Sequence, residues 1–420
     1  MNDIAWVDKA LTAARPQAVA ALLRYFRDLD IAEEAFQEAC LRALRTWPDK
    51  GSPRDPAAWL IFVGRNVALD GLRRRAKQTE LPDEDRISDL DDAEADIAER
   101  LDASDYRDDI LRLLFVCAHP SLPATQQVAL ALRIVSGVPV ARIARAFLVS
   151  DSAMEQRITR AKAKVAAAGT PFETPSAAER SERLAAVAAM IYLVFNEGYS
   201  ASGEEIEARG AFCDEAIRLS RLLLRLFPSE PEIMGLAALM LLQHARSSAR
   251  HGADGQIVLL EDQDRALWNG TMIAEGLVLL DKAMRHRRPG AYQLQAAIAA
   301  IHARAARYED TDWAEIVALY QGIERLQPSP VVTLNRAVAL SRLEGPEAGL
   351  ELIAPLAERL DGYFYFHGVT GALLMELGRN GEARVAFDRA IALANSAAEA
   401  AHIRMQLDRL KEDASAAAGR

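Results

Sequence analysis

The stretch VPVARIARAFLVSDSAMEQRITRAKAKV, Val138–Val165, decides the fold of the chain around it. Apolar residues recur at helical spacing in its first third and again from Asp151 onward. The inner face of the first segment consists of Val140, Ile143, Ala144 and Phe147. Between the segments, Leu148-Val149-Ser150 is short enough for a tight turn. This spacing predicts a helix-turn-helix.

The second helix of this motif divides into two faces. Its apolar positions fall within a narrow arc and are Met154, Ile158, Ala161 and Val165. Its opposite side displays Ser152, Gln156, Arg157, Arg160 and Lys164. Arginine and glutamine read base edges in a major groove, and lysine and arginine bind phosphates. A helical hairpin without a nucleic-acid role is the alternative, and this polar display makes it the less favoured one.

Upstream, a clean amphipathic helix is predicted to begin at Asp30, with Glu33 completing a capping box, and to end before Pro48. Its apolar face is Ala32, Ala35, Phe36, Ala39, Cys40, Ala43, Leu44 and Trp47. Its predicted outward side carries Glu33, Glu34, Gln37, Glu38 and Arg45. Taken alone, this pattern is typical of any helix with a solvated acidic face.

A further helix is predicted from Ala57 to about Lys77, with Trp59 near its beginning. One face is predicted to be core and holds Ile61, Ala68, Leu69, Leu72 and Ala76. The other face is a basic, hydrogen-bonding strip of Asn66, Asp70, Arg73, Arg74 and Lys77. An arginine run at a helix C-terminus also interacts favourably with the helix dipole without any ligand. Alone, therefore, the strip does not establish a binding site.

The charge of the chain is unevenly distributed. The 420 residues carry a net charge of −10, which by itself argues against nucleic acid as a partner. However, residues 1–78 carry 13 Lys/Arg against 10 Asp/Glu, and residues 136–168 carry six against two. Between them, residues 79–109 hold 14 acids and three bases, a composition typical of a flexible linker. Two locally basic segments thus flank an acidic one.

Composition indicates an intracellular all-α protein of several domains. Half of the residues are apolar and only 6% are aromatic, which is typical of packed helices. The three cysteines, Cys40, Cys117 and Cys213, are an odd number in apolar surroundings, so we expect core thiols. We find no secretory signal and no apolar run long enough for a membrane span, and we expect a cytoplasmic protein. The histidines show no metal-ligand spacing, and no nucleophile elbow or phosphate loop is present, so we expect no metal, no cofactor and no catalysis.

After Pro171 and Pro175 the chain is predicted to be helical almost to its end, with a weak internal period. The segment from Glu215 to Pro231 matches the segment from Glu315 to Pro330, 100 residues later. This distance is about three units of the ~34 residues typical of tetratricopeptide repeats. Leu373 to Asn395 gives the clearest single unit, whereas residues 245–310 fit poorly. The sequence thus predicts a degenerate helical-repeat domain.

Taken together, the N-terminal motifs resemble the extracytoplasmic-function (ECF) branch of the bacterial sigma-70 superfamily. The resemblance rests on AEEAFQEACLRAL at 32–44, AWL at 58–60, GRNVALDGLRRR at 64–75, IARAFLVSD at 143–151 and RITRAK at 157–162. Many relatives have a turn glycine where this chain has Leu148. The remainder is similar to the branch with a tetratricopeptide-like C-terminal extension, including stretches at Phe195–Tyr199 and Leu260–Trp268 to which we assign no chemistry.

This resemblance implies an all-α chain of six parts. They are sigma region 2 at 1–78, an acidic linker at 79–108, a region 4 helix-turn-helix at 109–168, a linker at 169–182, a tetratricopeptide-like domain at 183–410 and a disordered tail at 411–420. It implies an alternative sigma factor, not an enzyme, that binds core RNA polymerase and promoter DNA.

The resemblance also implies a role for each exposed face. Core polymerase is expected to bind Glu33, Glu34, Gln37 and Glu38. The minus-10 element is expected to bind Trp59, Asn66, Asp70, Arg73, Arg74 and Lys77. The minus-35 element is expected to bind Ser152, Gln156, Arg157, Arg160 and Lys164. A fused repeat domain further suggests control from within the chain, through contact between the sigma domains and the extension.

Two other classes of function stay open from the residues alone. A helix-turn-helix regulator with a repeat sensor would explain 138–165 and 175–410 but would leave Ala32–Trp47 and Trp59–Lys77 without a role. A repeat scaffold without a DNA function would leave both basic helices unused. Co-purification with core polymerase would distinguish the sigma-factor hypothesis from these two.

Overall fold

The computed structural model describes residues 5–77, 103–147, 149–168, 177–200, 209–252, 256–394 and 397–418. Within these ranges the chain is helical, and the only β pairing is a single bridge between His251 and Ile257. The all-α prediction is therefore confirmed. The contacts divide the chain into two units, Met1–Val194 and Phe195–Arg420.

The described residues of the first unit form seven helices and most of an eighth. They are α1 (Ala5–Phe26), α2 (Leu29–Lys50), α3 (Pro56–Lys77), α4 (Ala103–Cys117), α5 (Ala124–Ile134), α6 (Val140–Ala146), α7 (Asp151–Ala168) and α8 (Ala177–Tyr199). Helices α1, α2 and α3 pack on one another, and α5 and α6 pack on α7. Helix α4 packs on α1 of the first group and on α5 of the second. Helix α7 also touches α2, so the two groups are in contact.

Helix α2 begins slightly earlier and ends later than predicted. The Asp28 carboxylate, not that of Asp30, is the N-cap: its Oδ1 accepts hydrogen bonds from the backbone N–H groups of Asp30 (2.8 Å) and Ile31 (3.0 Å). Pro48 lies inside the last turn instead of ending the helix, which closes at Gly51 with φ +86°. A positive φ favours glycine at this helix end.

Most of the predicted apolar face of α2 is buried, with two corrections. Ala32, Ala35, Phe36, Ala39, Ala43 and Trp47 are buried as expected. Leu44 is 43% exposed, and Cys40 is only partly buried. Glu33, expected on the outside, is 5% exposed. Its burial follows from cations of other helices, which a helical wheel of α2 alone does not include.

The boundaries of region 4 differ from the prediction. Helix α4 begins at Ala103, inside the range expected to be linker (79–108). Residues 78–102, which make up most of that predicted linker, lie outside the described residues, as do Leu148 and residues 169–176. Helix α8 begins at Ala177, inside the second predicted linker.

From residue 209 onward, the described part of the second unit contains eleven α-helices in succession. They are α9 (Ala211–Leu226), α10 (Pro231–His244), α11 (Gly270–Arg285), α12 (Ala291–Arg304), α13 (Trp313–Leu326), α14 (Pro330–Glu344), α15 (Pro346–Ile353), α16 (Ala357–Leu360), α17 (Phe364–Glu376), α18 (Asn380–Leu393) and α19 (Ala397–Ala418). Helices close in sequence pack together, and each core cluster is shared by successive helices. The last helix extends through Ala418, so the predicted disordered tail at 411–420 is wrong for 411–418. Lys411, Glu412 and the alanines that follow are strong helix formers.

The 100-residue internal correspondence reflects two similar helical hairpins. Helices α9 and α13 end at Leu226 and Leu326, and α10 and α14 begin with Pro231 and Pro330. Proline at the first helical position lacks only an N–H that has no intrahelical partner there. Between Ala245 and Asn269 the described residues form short 3-10 turns instead of long helices. This segment lies within residues 245–310, where the sequence predicts a poor fit to the repeat. The tetratricopeptide-like identity of the whole array stays a prediction.

The two stretches without assigned chemistry are joined through Arg246 and are contacted by two further arginines. The Arg250 guanidinium lies 3.6 Å from the centre of the Tyr199 ring and donates to the Tyr199 carbonyl (2.6 Å). Arg246 donates to the Tyr199 hydroxyl (3.1 Å) and lies over Trp268. Arg265 also lies over Trp268 and donates to the carbonyls of His302 (2.7 Å) and Ala305 (2.8 Å). These contacts hold the irregular segment against the ends of α8 and α12.

We expect His302, which is largely buried beside this arginine cluster, to make the second unit sensitive to acid. Burial, together with the charges of Arg246 and Arg265, lowers the pKa of His302 to about 4. An unfolded histidine titrates near ~6.5, so between these pH values the unfolded state binds more protons. We expect the stability contributed by neutral His302 to be complete above ~6.5 and to be lost as the pH falls towards about 4.

Denaturant unfolding at several pH values checks this prediction. The free energy of unfolding of His302→Gln is expected to fall less steeply than that of wild type below pH ~6.5. Equal pH dependence in the two proteins would show that another group controls acid unfolding. His286→Gln is the matched control, because His286 is exposed.

Candidate nucleic-acid interface

Helix α7 has the two faces that its sequence predicts. Met154, Ile158, Ala161 and Val165 are buried against α5 and α6. Ser152, Gln156, Arg160 and Lys164 are exposed, and Arg157 is partly buried. The Ser150 hydroxyl caps the helix by accepting from the Ala153 N–H (3.3 Å). The helix therefore presents a polar, basic surface supported by an apolar underside.

Helix α6 supports α7 from behind. Ile143, Ala144 and Ala146 are buried, whereas Val140 and Phe147 are only partly buried, although we expected both on the inner face. Pro139 precedes the helix, and Gly137 before it has φ +71°. This arrangement of α6, a short connection and α7 is the predicted helix-turn-helix.

The outer side of α2 combines polar and apolar groups. Glu34, Gln37 and Glu38 are exposed, as predicted. Leu41 and Leu44 continue this strip towards the C-terminus of the helix and are 50% and 43% exposed. Sequence analysis missed both leucines as surface residues, since Leu44 fitted the core pattern. A strip of this kind offers apolar contact flanked by acidic groups.

The α3 residues that are expected to bind the minus-10 element differ in solvent exposure. Asn66 and Asp70 are exposed. Trp59 is only 8% exposed, and its ring lies edge-on to that of Trp47 with centroids 5.3 Å apart, so the expectation of an accessible Trp59 is wrong. The backbone of Arg73, Arg74 and Lys77 is helical, and their side chains lie outside the described part of the chain.

Glu33 is the centre of a buried ionic cluster. Its carboxylate lies 3.6 Å from Arg15 Nη2 on α1, 3.1 Å from Arg133 Nη2 on α5 and 2.8 Å from Lys162 Nζ on α7. Lys162 also contacts Asp30 Oδ1 at 2.7 Å. Cations from α1, α5 and α7 thus converge on one carboxylate of α2. A buried charge is stable only when paired and hydrogen-bonded in this way.

The surroundings of Arg15 and Lys162 shift their pKa values in opposite directions. Burial lowers the pKa of Arg15. For Lys162, burial also acts to lower the pKa, but hydrogen bonds to Asp30 and Glu33 outweigh it, so that the pKa is raised and the ammonium stays charged. Sequence reasoning missed Arg15, Arg133 and Lys162, because they lie on other helices, and Arg133 and Lys162 are about 100 or more residues from Glu33 in the sequence.

Neither the cysteines nor the possible metal ligands among the described residues indicate a further site. Cys117 and Cys213 are buried, and burial raises the pKa of Cys40 and of Cys213 to about 12. Among the described residues, no cluster of three His, Cys, Asp or Glu side chains could hold a metal ion. Nor does any described helix combine the length and apolar character needed to cross a bilayer.

Comparisons with known families match three separate parts of the chain. Residues 11–78 match sigma-70 region 2, and residues 112–165 match sigma-70 region 4. Residues 183–284 match a family of unknown function (DUF6596). The two sigma matches cover α1 to α3 and α4 to α7.

Two individual relatives match different shares of the chain. The chain is 70% identical to an uncharacterised protein, R00370, of Rhizobium meliloti over 98% of this chain and 97% of that protein. It is 29% identical over 161 residues to a probable ECF RNA polymerase sigma factor, SigI, of Mycobacterium tuberculosis. That match covers 38% of this chain and 54% of the relative. No solved structure matches the chain.

Both sigma-70 regions are therefore present, in order, on the helices that carry the acidic strip and the exposed basic face. The mycobacterial relative is a probable ECF sigma factor, and the likeness to it is 29% identity over 161 residues. This chain thus carries regions 2 and 4 of the sigma-70 family.

Proposed function

We propose that α7 reads the minus-35 element of a promoter through Ser152, Gln156, Arg157, Arg160 and Lys164. The exposed basic face of α7, within a region 4 match, is the observation that carries this proposal. Gln156 and Arg160 lie one turn apart and can reach neighbouring base edges, where glutamine suits adenine and arginine suits guanine. Lys164 lies further along the same side and suits a phosphate.

Region 2 supplies the minus-10 surface on α3. Asn66 and Asp70 lie one turn apart on its exposed side, and Arg73, Arg74 and Lys77 follow in the sequence. Amide and arginine groups of this kind bind the bases and phosphates of a displaced single strand. Trp59 is left out of this surface because its ring packs against Trp47. Sigma factors of this design act by binding, and we propose no catalytic step.

Core polymerase binds the outer strip of α2. Glu34, Gln37 and Glu38 supply acid and amide groups, and Leu41 and Leu44 add apolar area beside them. Apolar residues at the centre of an interface supply binding energy, while surrounding charges set orientation and association rate. The strip therefore suits a basic partner surface with an apolar centre.

Charge reversal on this strip tests the polymerase contact. Glu34→Lys is expected to weaken binding to core polymerase on the order of tenfold, because a cation would face a basic partner. Asp49→Lys, at the exposed end of the same helix, is the matched control and should bind like wild type. Co-purification and a titration with labelled core polymerase measure both. Equal affinities of the two variants would refute the proposed docking strip.

The second unit regulates the sigma half in this proposal. The relative from Rhizobium meliloti aligns over 98% of this chain, so both parts occur together there. Run-off transcription with core polymerase should differ between the full chain and a chain ending after Ser200. This end point keeps α8, whose Arg183 lies over the Phe115 ring of α4. Equal promoter activity and equal polymerase affinity would refute internal regulation.

The competing function is a helix-turn-helix regulator that binds DNA without polymerase. The match to region 2 argues against it, because such a regulator has no use for α2 and α3. An electrophoretic shift with protein alone, but no co-purification with core polymerase, would favour it.

A further inference from the structure

We propose that a cavity in the second unit binds a small uncharged molecule that has a flat apolar body and an amide- or lactam-type edge. The cavity lies between helices α12, α13 and α14 and the irregular segment between Ala245 and Asn269. Its volume is about 280 Å³, close to the lower limit of ~300 Å³ for small-molecule sites. All of its lining residues belong to the second unit, so the inference goes beyond the proposed function and does not depend on the sigma role.

Helix α13 and the turn before it supply an aromatic wall. Trp313, Ile316 and Tyr320 lie on one face of α13, three and four residues apart, and line the cavity. The Trp313 ring stands edge-on to the His302 ring, with centroids 5.5 Å apart, and to the Tyr308 ring at 5.4 Å. Rings held against one another in this way form a rigid apolar surface, on which a flat ring of a ligand can pack.

Helix α14 supplies the floor and sets the length of the site. Asn335, Val338 and Arg342 lie on one face of this helix and line the cavity. The first and the last of them are seven residues apart, which corresponds to about 10 Å along the helix axis. Val338 keeps the middle of the floor apolar. The site thus suits a compound of one or two rings with polar groups at its ends.

The irregular segment closes one side of the cavity. Leu259 and Leu260 line the cavity from this segment, which interrupts the succession of long helices. The segment is fixed to the end of α12, because Arg265 donates to the carbonyls of His302 (2.7 Å) and Ala305 (2.8 Å). The wall is therefore already in place before a ligand arrives, which lowers the entropic cost of binding.

The two charged side chains that line the cavity are already paired. Arg342 Nη2 lies 3.7 Å from Glu261 Oε2 of the irregular segment, and Arg342 Nη1 lies 3.2 Å from Glu376 Oε1 on α17. His302 is uncharged at neutral pH, because burial and two neighbouring arginines lower its pKa to about 4. A charged ligand would have to separate an existing ion pair or lose its hydration without gaining a partner. The lining therefore favours an uncharged ligand.

The polar groups that are left over can both donate and accept. Asn335 is exposed at the cavity, and its carboxamide makes no hydrogen bond with the described part of the chain. His302 Nδ1 is buried and also has no partner among the described residues. A carboxamide offers a donor and an acceptor side by side, and a neutral imidazole nitrogen does either according to its tautomer. An amide or lactam edge matches these groups, whereas a carboxylate can only accept.

Ligand-observed NMR with the full chain tests the site, with phenylacetamide as the probe. Phenylacetamide combines a flat ring with an amide, and phenylacetate is a carboxylate of nearly the same shape. We expect saturation transfer to phenylacetamide, and about tenfold weaker binding of phenylacetate, because its charge finds no free partner. Absence of phenylacetamide binding, or equal affinity for the two compounds, would overturn the proposal.

Two substitutions locate the binding. Asn335→Leu keeps the size of the side chain but removes its donor and acceptor, so phenylacetamide should bind about tenfold more weakly. Val338→Trp fills the floor and should abolish binding. Asn380→Leu changes an exposed asparagine of α18 outside the cavity and should bind like wild type. Circular dichroism checks folding, and Asn335→Ser replaces the leucine variant if that unfolds. Wild-type affinity in a folded variant of Asn335 or Val338 would overturn the site.

An extended peptide is the competing occupant. A synthetic peptide with the sequence of residues 258–263, VLLEDQ, carries two leucines followed by carboxylates, as the irregular segment does. Binding of this peptide without binding of phenylacetamide would assign the cavity to a peptide-docking groove and would overturn the small-molecule site. None of these measurements involves polymerase or DNA. Their failure leaves the proposed function intact, and a chain that binds no polymerase would leave the cavity site intact.

Discussion

Replacement of Arg160 by alanine is expected to lower promoter-dependent transcription by about 10- to 100-fold, with core polymerase affinity unchanged. Arg160 is exposed on the polar face of α7, one turn from Gln156. A bidentate contact between arginine and guanine discriminates by ~1–3 kcal/mol, and each 1.4 kcal/mol corresponds to about a factor of ten. Run-off transcription on a promoter selected by the wild-type protein, together with a polymerase titration, measures both quantities.

The Arg160 experiment needs a control for general loss of positive charge. Arg225→Ala removes an exposed arginine from α9, outside both sigma regions, and should transcribe like wild type. Base preference distinguishes the kind of contact: Arg160→Ala should change which sequences are preferred, whereas loss of a phosphate contact weakens binding to all sequences alike. Equal transcription by both variants would show that this face of α7 does not read the promoter.

The face of α7 could be predicted because its determinants are local. Met154, Ile158 and Val165 recur at helical spacing, and this spacing alone fixes which side is buried. The same reasoning gave the buried side of α2 but failed at Glu33. Its partners Arg133 and Lys162 come from helices more than 90 residues away. Residue type predicts exposure for an isolated carboxylate, and only tertiary contacts override it.

The second unit shows the same limit. The spacing of Leu226 and Pro231 against Leu326 and Pro330 predicted two similar hairpins, because proline and helix ends are local signals. The role of Trp268 could not be predicted in this way. It depends on Arg246 and Arg265, whose other partners, Tyr199 and His302, lie on α8 and α12. The helices could therefore be predicted from the sequence. The contacts that hold the irregular segment between Ala245 and Asn269 are visible only in the fold.

Gly235→Ala is expected to destabilise the second unit by about 3 kcal/mol, because an extra methyl group overfills a tight helix contact. A Cβ at this position would lie 2.7 Å from the Gln293 backbone nitrogen and 2.9 Å from its Cα. Backbone atoms of α12 move only with the whole helix. Glu232, one turn earlier, fixes this contact by accepting from the N–H groups of Tyr292 and Gln293 (3.2 Å each). Denaturant unfolding and hydrogen exchange in α10 and α12 measure the effect.

Gly381→Ala is the matched control, because a Cβ there meets nothing within 4 Å. Alanine favours a helix over glycine by up to ~1 kcal/mol, so this variant should be neutral or slightly more stable. Equal stability of the two variants would show that α10 and α12 can separate without cost. The same pair also tests regulation without truncation. If the second unit controls the sigma half, Gly235→Ala should change run-off transcription at temperatures where α10 and α12 lose protection, and Gly381→Ala should not.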